Sequence, residues 1–357
     1  YESDSTIVSH AIGHLVGIAD PKDIDERYKA WDMKTLPMLP EKFPLVALPT
    51  TKAHLSALGK LIKRKDVTTI INACDAGREG ELIFYYIVDY VLKGNFKGKT
   101  FKRLWMQSMT PAAIKDAFEH LRTEEDMVNL RNAALCRSEA DWLVGMNGSR
   151  GLTAYNSSMG GFQITPCGRV QTPTLAIIVK REEERNRFVP KKFWTIEASF
   201  KNNSAVYQGK WFTVDKENGK DRVKQIFDES RVQEILAKCK GKKGSIEETT
   251  APSQQKCGQL YDLTTLQREA NNRFGFSAKT TLSIAQSLYE HYKATTYPRT
   301  DSRCLPEDYV TTVKATLGKI EGPLRKFALE ALDNSYVKRT PKVFDNSKIS
   351  DHFAIIP

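Results

Sequence analysis

Two stretches of this sequence carry residue types that could do chemistry. The first is TTYPRTDSR (295–303), in which Arg299 follows Tyr297 by two residues. A phenol attacks only as its anion, and at a pKa of about 10 roughly one molecule in a thousand is ionised at neutral pH. A cation at about 4 Å, under an effective dielectric of 20, is worth roughly 4 kcal/mol to a phenolate, or about three pKa units. Arg299 is therefore expected to activate Tyr297 and to steady a pentacovalent phosphate. The second is NACDAGREGEL (72–82), with Asp75 where a β-branched strand ends and Glu79 and Glu81 at the start of a helix. Strand carboxyl ends of α/β sheets are where ligands bind. Carboxylates gathered there suit Mg²⁺, which takes one or two of them plus water and substrate phosphate. Acids in a first helical turn also offset the helix dipole, which accounts for Glu79 and Glu81 but not for Asp75. In CGRVQTPTL (167–175), Arg169 and Gln171 lie in a turn ahead of a helix, a site suited to phosphate. His352, in SDHFAIIP, reads by default as a packing residue that could assist at the far end of the chain.

These groups need elements to hold them. Residues 6–18 read as a strand bending at Gly13 and Gly17, and 20–50 as a proline-punctuated crossing segment. A helix over 52–65, a buried strand over 66–74 and a helix from Arg78 follow, the grammar of an α/β domain with a mostly parallel sheet. Thr110 and Pro111 open another helix, and 127–150 continues helical. A further helix runs to Pro190. Alternation then predicts strands in FWTIEASF, AVYQGKWFTV and GKKGSIEETT, with TTAPSQQK (249–256) as an exit hinge. Residues 263–291 read as two short helices around Gly275, the second capped by Ser277. This pair resembles a helix-turn-helix, although Leu282, Ala285, Leu288 and Tyr289 favour packing over groove reading.

Composition limits the function. The net charge is +11 and the pI near 9.2, which points to a polyanion, most simply nucleic acid; lysine spread over a solvated surface is the plain alternative. No run approaches the length of a membrane helix, and the first residues lack a signal-peptide pattern. Six cysteines, including Cys257, form no C-x-x-C pair, which argues against a zinc ribbon or a disulfide framework and for a reducing, cytoplasmic setting. GNFKGKT (94–100) has three residues between its glycines where a phosphate-binding loop needs four, so the chemistry is expected to consume no ATP.

Taken in order, GHL, ERYKAW, LPMLPEKF, DAGREGEL, ADWLVGMNGSR, GRVQTPTL, LYDLTTLQREANNRFGFSAKTTLSIAQSLYE, TYPRTDSR and DHFAIIP resemble the type IA DNA topoisomerases, and among them the topoisomerase III branch. The resemblance implies a multidomain fold of α/β, α and β bodies in the toroidal architecture of that family. It divides the chain into a Toprim α/β domain over 1–126, a helical DNA-binding domain over 127–190, a β-containing hinge over 191–250 and a helical domain over 251–357. It makes Tyr297 the nucleophile and Arg299 the activating and phosphate-stabilising arginine, raises His352 to an active-site residue, and assigns Glu79 to proton exchange with the 3′ oxygen. Asp75 and Glu79 become the Mg²⁺ ligands, and Arg169, Gln171 and, less directly, Arg150 become DNA contacts. It also implies a monomer acting on single-stranded DNA in association with the chromosome, with a helicase and a single-strand-binding protein as partners and no membrane.

Three departures stand out. The family signature D-x-D-x-E has Gly77 in place of its middle acid, so metal binding is expected to be weaker or differently arranged. Pro166 and Cys167 precede Gly168 where the family usually has a serine two before the glycine. The glutamate and lysine of the family's first strand, and its closing parts, are expected outside this sequence. The reaction implied is ATP-independent cutting, strand passage and resealing through a 5′-phosphotyrosine. Two other classes use the same features: a Toprim-type nuclease or primase without a covalent tyrosine, and a non-catalytic DNA-binding protein.

Overall fold

The computed structural model describes residues 1–158, 160–202, 205–215, 220–255 and 258–357; Lys256, the last residue of the expected hinge, and Cys257 after it lie outside them. The chain separates into two compact units, one made of Tyr1–Thr172 with Lys256–Pro357, the other of Pro173–Gln255.

In the first unit, β1 (Val16–Ile18), the short α1 (Pro21–Ile24), β2 (Leu45–Ala47), α2 (Lys52–Ile62), β3 (Thr69–Asn72), α3 (Arg78–Leu92) and β4 (Thr100–Arg103) come first. β1 pairs antiparallel with β2, and β3 parallel with β4, Asn72 opposite Arg103. A parallel pair needs a crossover, and α3 supplies it. Leu82, Tyr86, Ile87 and Val91 form the apolar stripe of α3 and bury against Leu15, Val16, Leu55 and Ile62. Each such aliphatic side chain contributes about 1.5–3 kcal/mol. GNFKGKT forms the turn between α3 and β4. Of the strand expected over 6–18, only Val16–Ile18 is strand. The strand expected to be buried is so on one face only: Ile71 is 37% exposed, and among the described residues β3 pairs with β4 alone.

α4 (Pro111–Glu119) starts at Thr110, whose hydroxyl accepts from the Ala113 amide. α5 (Glu124–Ser157) is longer than its 127–150 core, because Thr123 and Asp126 form a capping box at one end. The crossing segment docks on α5. Asn147 accepts from the Met38 amide at 2.6 Å and donates to its carbonyl at 3.0 Å, and Trp142 donates to the Ala19 carbonyl.

The second unit takes most of α6 (Gln171–Asn186), which ends ahead of Pro190, then the hairpin β5 (Glu197–Asn202) and β6 (Ala205–Lys210), the pair β7 (Thr213–Asp215) and β8 (Lys220–Val223), and α7 (Glu229–Cys239). Ile226, Val232 and Ile235 pack with Trp194, Ile196 and Trp211 as its core. GKKGSIEETT, expected as a strand, forms none: its own residues are exposed, and among the described residues no strand pairs with it.

Back in the first unit, α8 (Leu263–Phe274) closes at Gly275, whose φ of +70° is open to glycine. α9 (Ala278–Glu290) begins at Ser277, which accepts from the Thr280 amide. After the tyrosine segment come α10 (Val310–Lys319) and α11 (Arg325–Asp333). Leu305, Tyr309, Phe344 and Ala354 form the core beneath them.

Candidate active site

Tyr297 is placed by backbone bonds to a segment more than fifty positions away. The Thr296 amide donates to the Ile356 carbonyl at 2.9 Å, Ala354 to Cys304 at 2.9 Å and Ile355 to Tyr261 at 2.8 Å. Thr296 and Thr300 add hydroxyl bonds to the carbonyls of Ala354 and His352. This stitching sets the His352 ring 4.4 Å from the Tyr297 ring, centroid to centroid, with Tyr289 edge-on at 5.2 Å on another side. His352 Nε2 also lies 3.7 Å from Asp75 Oδ2. Three groups from distant parts of the chain thus converge.

Arg299 does not do all that its spacing suggests. Its Nε donates to Gln286 Oε1 at 3.2 Å, and Gln286 in turn donates to Glu290 at 2.5 Å. Burial pushes the Tyr297 phenol above its usual value, and the pull of Arg299 downward is the smaller effect. Tyr297 is therefore neutral at pH 7. In a difference titration of the wild type against Tyr297→Phe, followed by phenolate absorbance, this phenol ionises above pH ~10, and Arg299→Gln moves it higher still. A midpoint below that would mean that the cation outweighs burial. Along α9, Arg299 borders an open groove of about 490 Å³ lined also by Lys279, Ser283, Gln286 and His291.

Asp75 is held by a residue that motif reading missed. Arg103, 2% exposed at the end of β4, donates to the carbonyls of Asn72 at 3.0 Å, Cys74 at 2.7 Å and Asp75, and to the Asn72 side chain. Its Nε stands 3.7 Å from Glu81, which accepts from Asn72 Nδ2 at 3.0 Å. Burial raises the Glu81 carboxyl, with Arg103 opposing, and it lowers the Arg103 guanidinium, with Glu81 opposing. Glu81 therefore braces the loop from inside. The only sequence signal for Arg103 was a charge at the end of a β-strand.

Glu79 faces another way. It forms an ion pair with Arg137 of α5 and a hydrogen bond with His14 Nε2 at 3.2 Å. Arg169 reaches the same part of α5, its Nε on Asp141 Oδ1 at 3.2 Å and its Nη2 on the Arg137 carbonyl at 3.5 Å. The turn before it is pinned to α5, since Cys167 donates its amide to Ser149 Oγ at 2.9 Å. A Cβ at Gly148 would stand 2.7 Å from Cys167 Sγ. Gln171 opens α6 and is exposed. Arg150 corrects its expectation: it is 6% exposed, donates to the Tyr28 and Ala30 carbonyls and lies over the Trp31 ring. Its charge anchors the crossing segment and is not offered to DNA.

For Mg²⁺ the donor set fits in part. Asp75 has an open carboxylate, whereas Glu79 is engaged by Arg137 and His14, and among the described residues no three His, Cys, Asp or Glu side chains are gathered as a metal site. One carboxylate with water and phosphate oxygens suffices for this ion.

Among the described residues no helix is long and apolar enough to cross a membrane. A family profile described as DNA topoisomerase matches residues 125–357. The protein named DNA topoisomerase 3 of Shouchella clausii is 41% identical over 358 aligned positions, covering 100% of this chain and 47% of its own length. The protein of that name in Bacillus subtilis is 39% identical, with the same coverage. The chain thus spans about half the length of the curated relatives it matches. The solved structure of full-length topoisomerase I from Thermotoga maritima overlaps 87% of this chain and 48% of its own, at 23% identity and a TM-score of 0.49. The profile covers well over half of the chain, and this chain belongs to the DNA topoisomerase family, with proteins named DNA topoisomerase 3 among its relatives.

Proposed function

We propose that the chain carries the cleavage centre of an ATP-independent type IA DNA topoisomerase, in a Toprim-containing toroidal architecture. The observation that carries this reading is the meeting of Tyr297, His352 and Asp75 beside an arginine-bordered groove. A single DNA strand lies along the groove by α9, and Arg169 and Gln171 contact its backbone. The Tyr297 oxygen forms a bond to phosphorus while the bond to the 3′ oxygen breaks, leaving a 5′-phosphotyrosine and a 3′ hydroxyl. One phosphodiester replaces another, so resealing needs no ATP. Arg299 and His352 offset charge on the transferring phosphate. Glu79, with His14 one hydrogen bond behind it, relays a proton from solvent to the leaving 3′ oxygen and takes it back on resealing, while the phenol proton of Tyr297 passes to solvent as its oxygen bonds to phosphorus. Bound at Asp75, Mg²⁺ would supply positive charge that holds the DNA phosphate in place for resealing; Glu79 can join it only by leaving Arg137 or His14.

Between cutting and resealing the tyrosine segment must part from the Asp75 loop. The contacts that join them suit this, because several are polar. Gln107 donates to the Ile349 and Ser350 carbonyls, and Ser108 and Thr110 donate to Asp308. The protein acts as a monomer on cytoplasmic, chromosome-associated DNA, alongside a helicase and a single-strand-binding protein.

Covalent trapping tests the reading. Single-stranded DNA labelled at its 3′ end is mixed with the full-length protein and quenched in denaturant, with and without Mg²⁺. Label carried by the protein is the expected result. Free cut DNA would favour a nuclease, and no product a DNA-binding protein.

A further inference from the structure

We propose that Gly77 and Asp351 are positioning residues for the cleavage reaction: the missing side chain at 77 leaves the space in which the Asp351 carboxylate sits, and that seating sets His352 against Asp75 and Tyr297. The inference rests on the function proposed above and goes beyond it in naming two residues outside the expected set.

A Cβ built on Gly77 would fall inside the Asp351 carboxylate, overlapping its carbon and both oxygens. The backbone does not ask for glycine here. Gly77 has φ −163° and ψ −176°, an extended conformation that any residue adopts. Nor does helix capping ask for it. Gly77 is the N-cap of α3 and provides no side-chain cap, at a position where serine, threonine, aspartate and asparagine are preferred. What remains to explain glycine is the space it leaves. The carboxylate that fills this space comes from the other end of the chain and stands at a helix start, where negative charge is favoured.

Asp351 is joined directly to His352, so its seat fixes where the imidazole enters the site. The rest of the segment is held on both sides. Gln107 donates to the Ile349 and Ser350 carbonyls at 2.9 and 2.8 Å, and Ser350 Oγ donates to Asp301 Oδ1 at 2.9 Å. The loop beneath is equally fixed, since the Gly77 amide donates to the Asp75 carbonyl at 2.8 Å and Glu81 donates to Gly77 at 3.1 Å. Asp351 itself is exposed. A methyl group at 77 is therefore met by rotation of the carboxylate outward or by withdrawal of the 349–352 segment. Either movement shifts His352 while the apolar cores, made of other residues, stay packed.

The test is a double-mutant cycle in the full-length protein, read as the single-turnover rate of covalent complex formation beside the affinity for the same oligonucleotide. Gly77→Ala is expected to slow the reaction by about tenfold to a hundredfold with affinity unchanged. Asp351→Gly also slows it, and in that background Gly77→Ala adds less than about a twofold effect, because the clash is gone. An equal cost of Gly77→Ala in both backgrounds, no cost in the wild type, or a loss of affinity that matches the loss of rate would overturn the proposal. A second measurement needs neither DNA nor activity, so it separates this proposal from the function on which it rests. The pair Gly77→Cys and Asp351→Cys, oxidised with glutathione disulfide, is expected to cross-link within the chain while neither single variant does. Failure to cross-link would show that the seat is not occupied.

Discussion

Replacing Tyr297 by phenylalanine is expected to remove the covalent protein–DNA complex proposed above, with a loss of at least about four orders of magnitude in its rate of formation. The substitution deletes one oxygen and keeps the ring. Packing against Tyr289 at 5.2 Å and His352 at 4.4 Å therefore survives, as do Arg299 and the α9 groove. Affinity for single-stranded DNA should stay within about twofold, a change of roughly 0.4 kcal/mol. The two readings together distinguish a nucleophile from a binding residue. Tyr289 makes the experiment sharper, since it is the nearest second phenol. Trapped protein should be digested and the modified peptide identified by mass. Modification at Tyr297 in the wild type, and none in the variant, is the expected pattern. Covalent product that persists in the variant and maps to Tyr289 would move the nucleophile there. Free cut DNA from both proteins would replace the covalent mechanism with hydrolysis.

The second large effect is one of stability. Arg103→Met is expected to lower the unfolding free energy by about 3–5 kcal/mol, because it leaves the Glu81 charge buried without its partner. Glu81 is 5% exposed and Asn72 2%, so no solvent is at hand to replace the guanidinium. The carbonyls of Asn72, Cys74 and Asp75 lose the guanidinium's hydrogen bonds at the same time, those of Asn72 and Asp75 keeping only the amides of Leu104 and Gly77. Urea unfolding followed by circular dichroism measures the loss, and adding Glu81→Leu should recover a good part of it, since a pair removed whole costs far less than a pair broken. Activity should fall further than stability requires. The same three carbonyls shape the loop that presents Asp75, and a shift of about 1 Å there can cost a hundredfold. Unchanged stability in Arg103→Met would mean that the network is satisfied by water.

Much of the local structure could be read from the chain. Thr110 and Pro111, and Ser277, mark helix starts because a cap acts on amides two or three residues away. The apolar stripe of α3 follows from its period, and Gly275 from the left-handed turn it must make. The tyrosine segment and the acidic loop were legible for the same reason: their residue types and short spacings lie within the sequence itself. The boundaries that failed are those decided by pairing. Among the described residues GKKGSIEETT has the alternation of a strand but no strand beside it, and β3 has one edge paired, with β4, and one face exposed at Ile71.

The site itself belongs to the tertiary structure. Nothing in the spacing of DAGREGEL turns Glu79 toward His14 and Arg137 while Glu81 points inward to Arg103. Nothing in SDHFAIIP brings His352 to Asp75, and a lone Arg150 reads as a surface cation until it is found beneath the crossing segment. The phenol of Tyr297 makes the same point in energetic terms. Its neighbour Arg299 is visible two residues away and pulls the pKa down, but burial contributed by the whole fold raises it more. Sequence by itself determined which chemical groups this protein has and the helices that carry many of them, because those depend on contacts a few residues apart. Which groups meet, and in what state of charge, was decided only by packing across the chain, because desolvation and long-range contact are properties of the assembled structure.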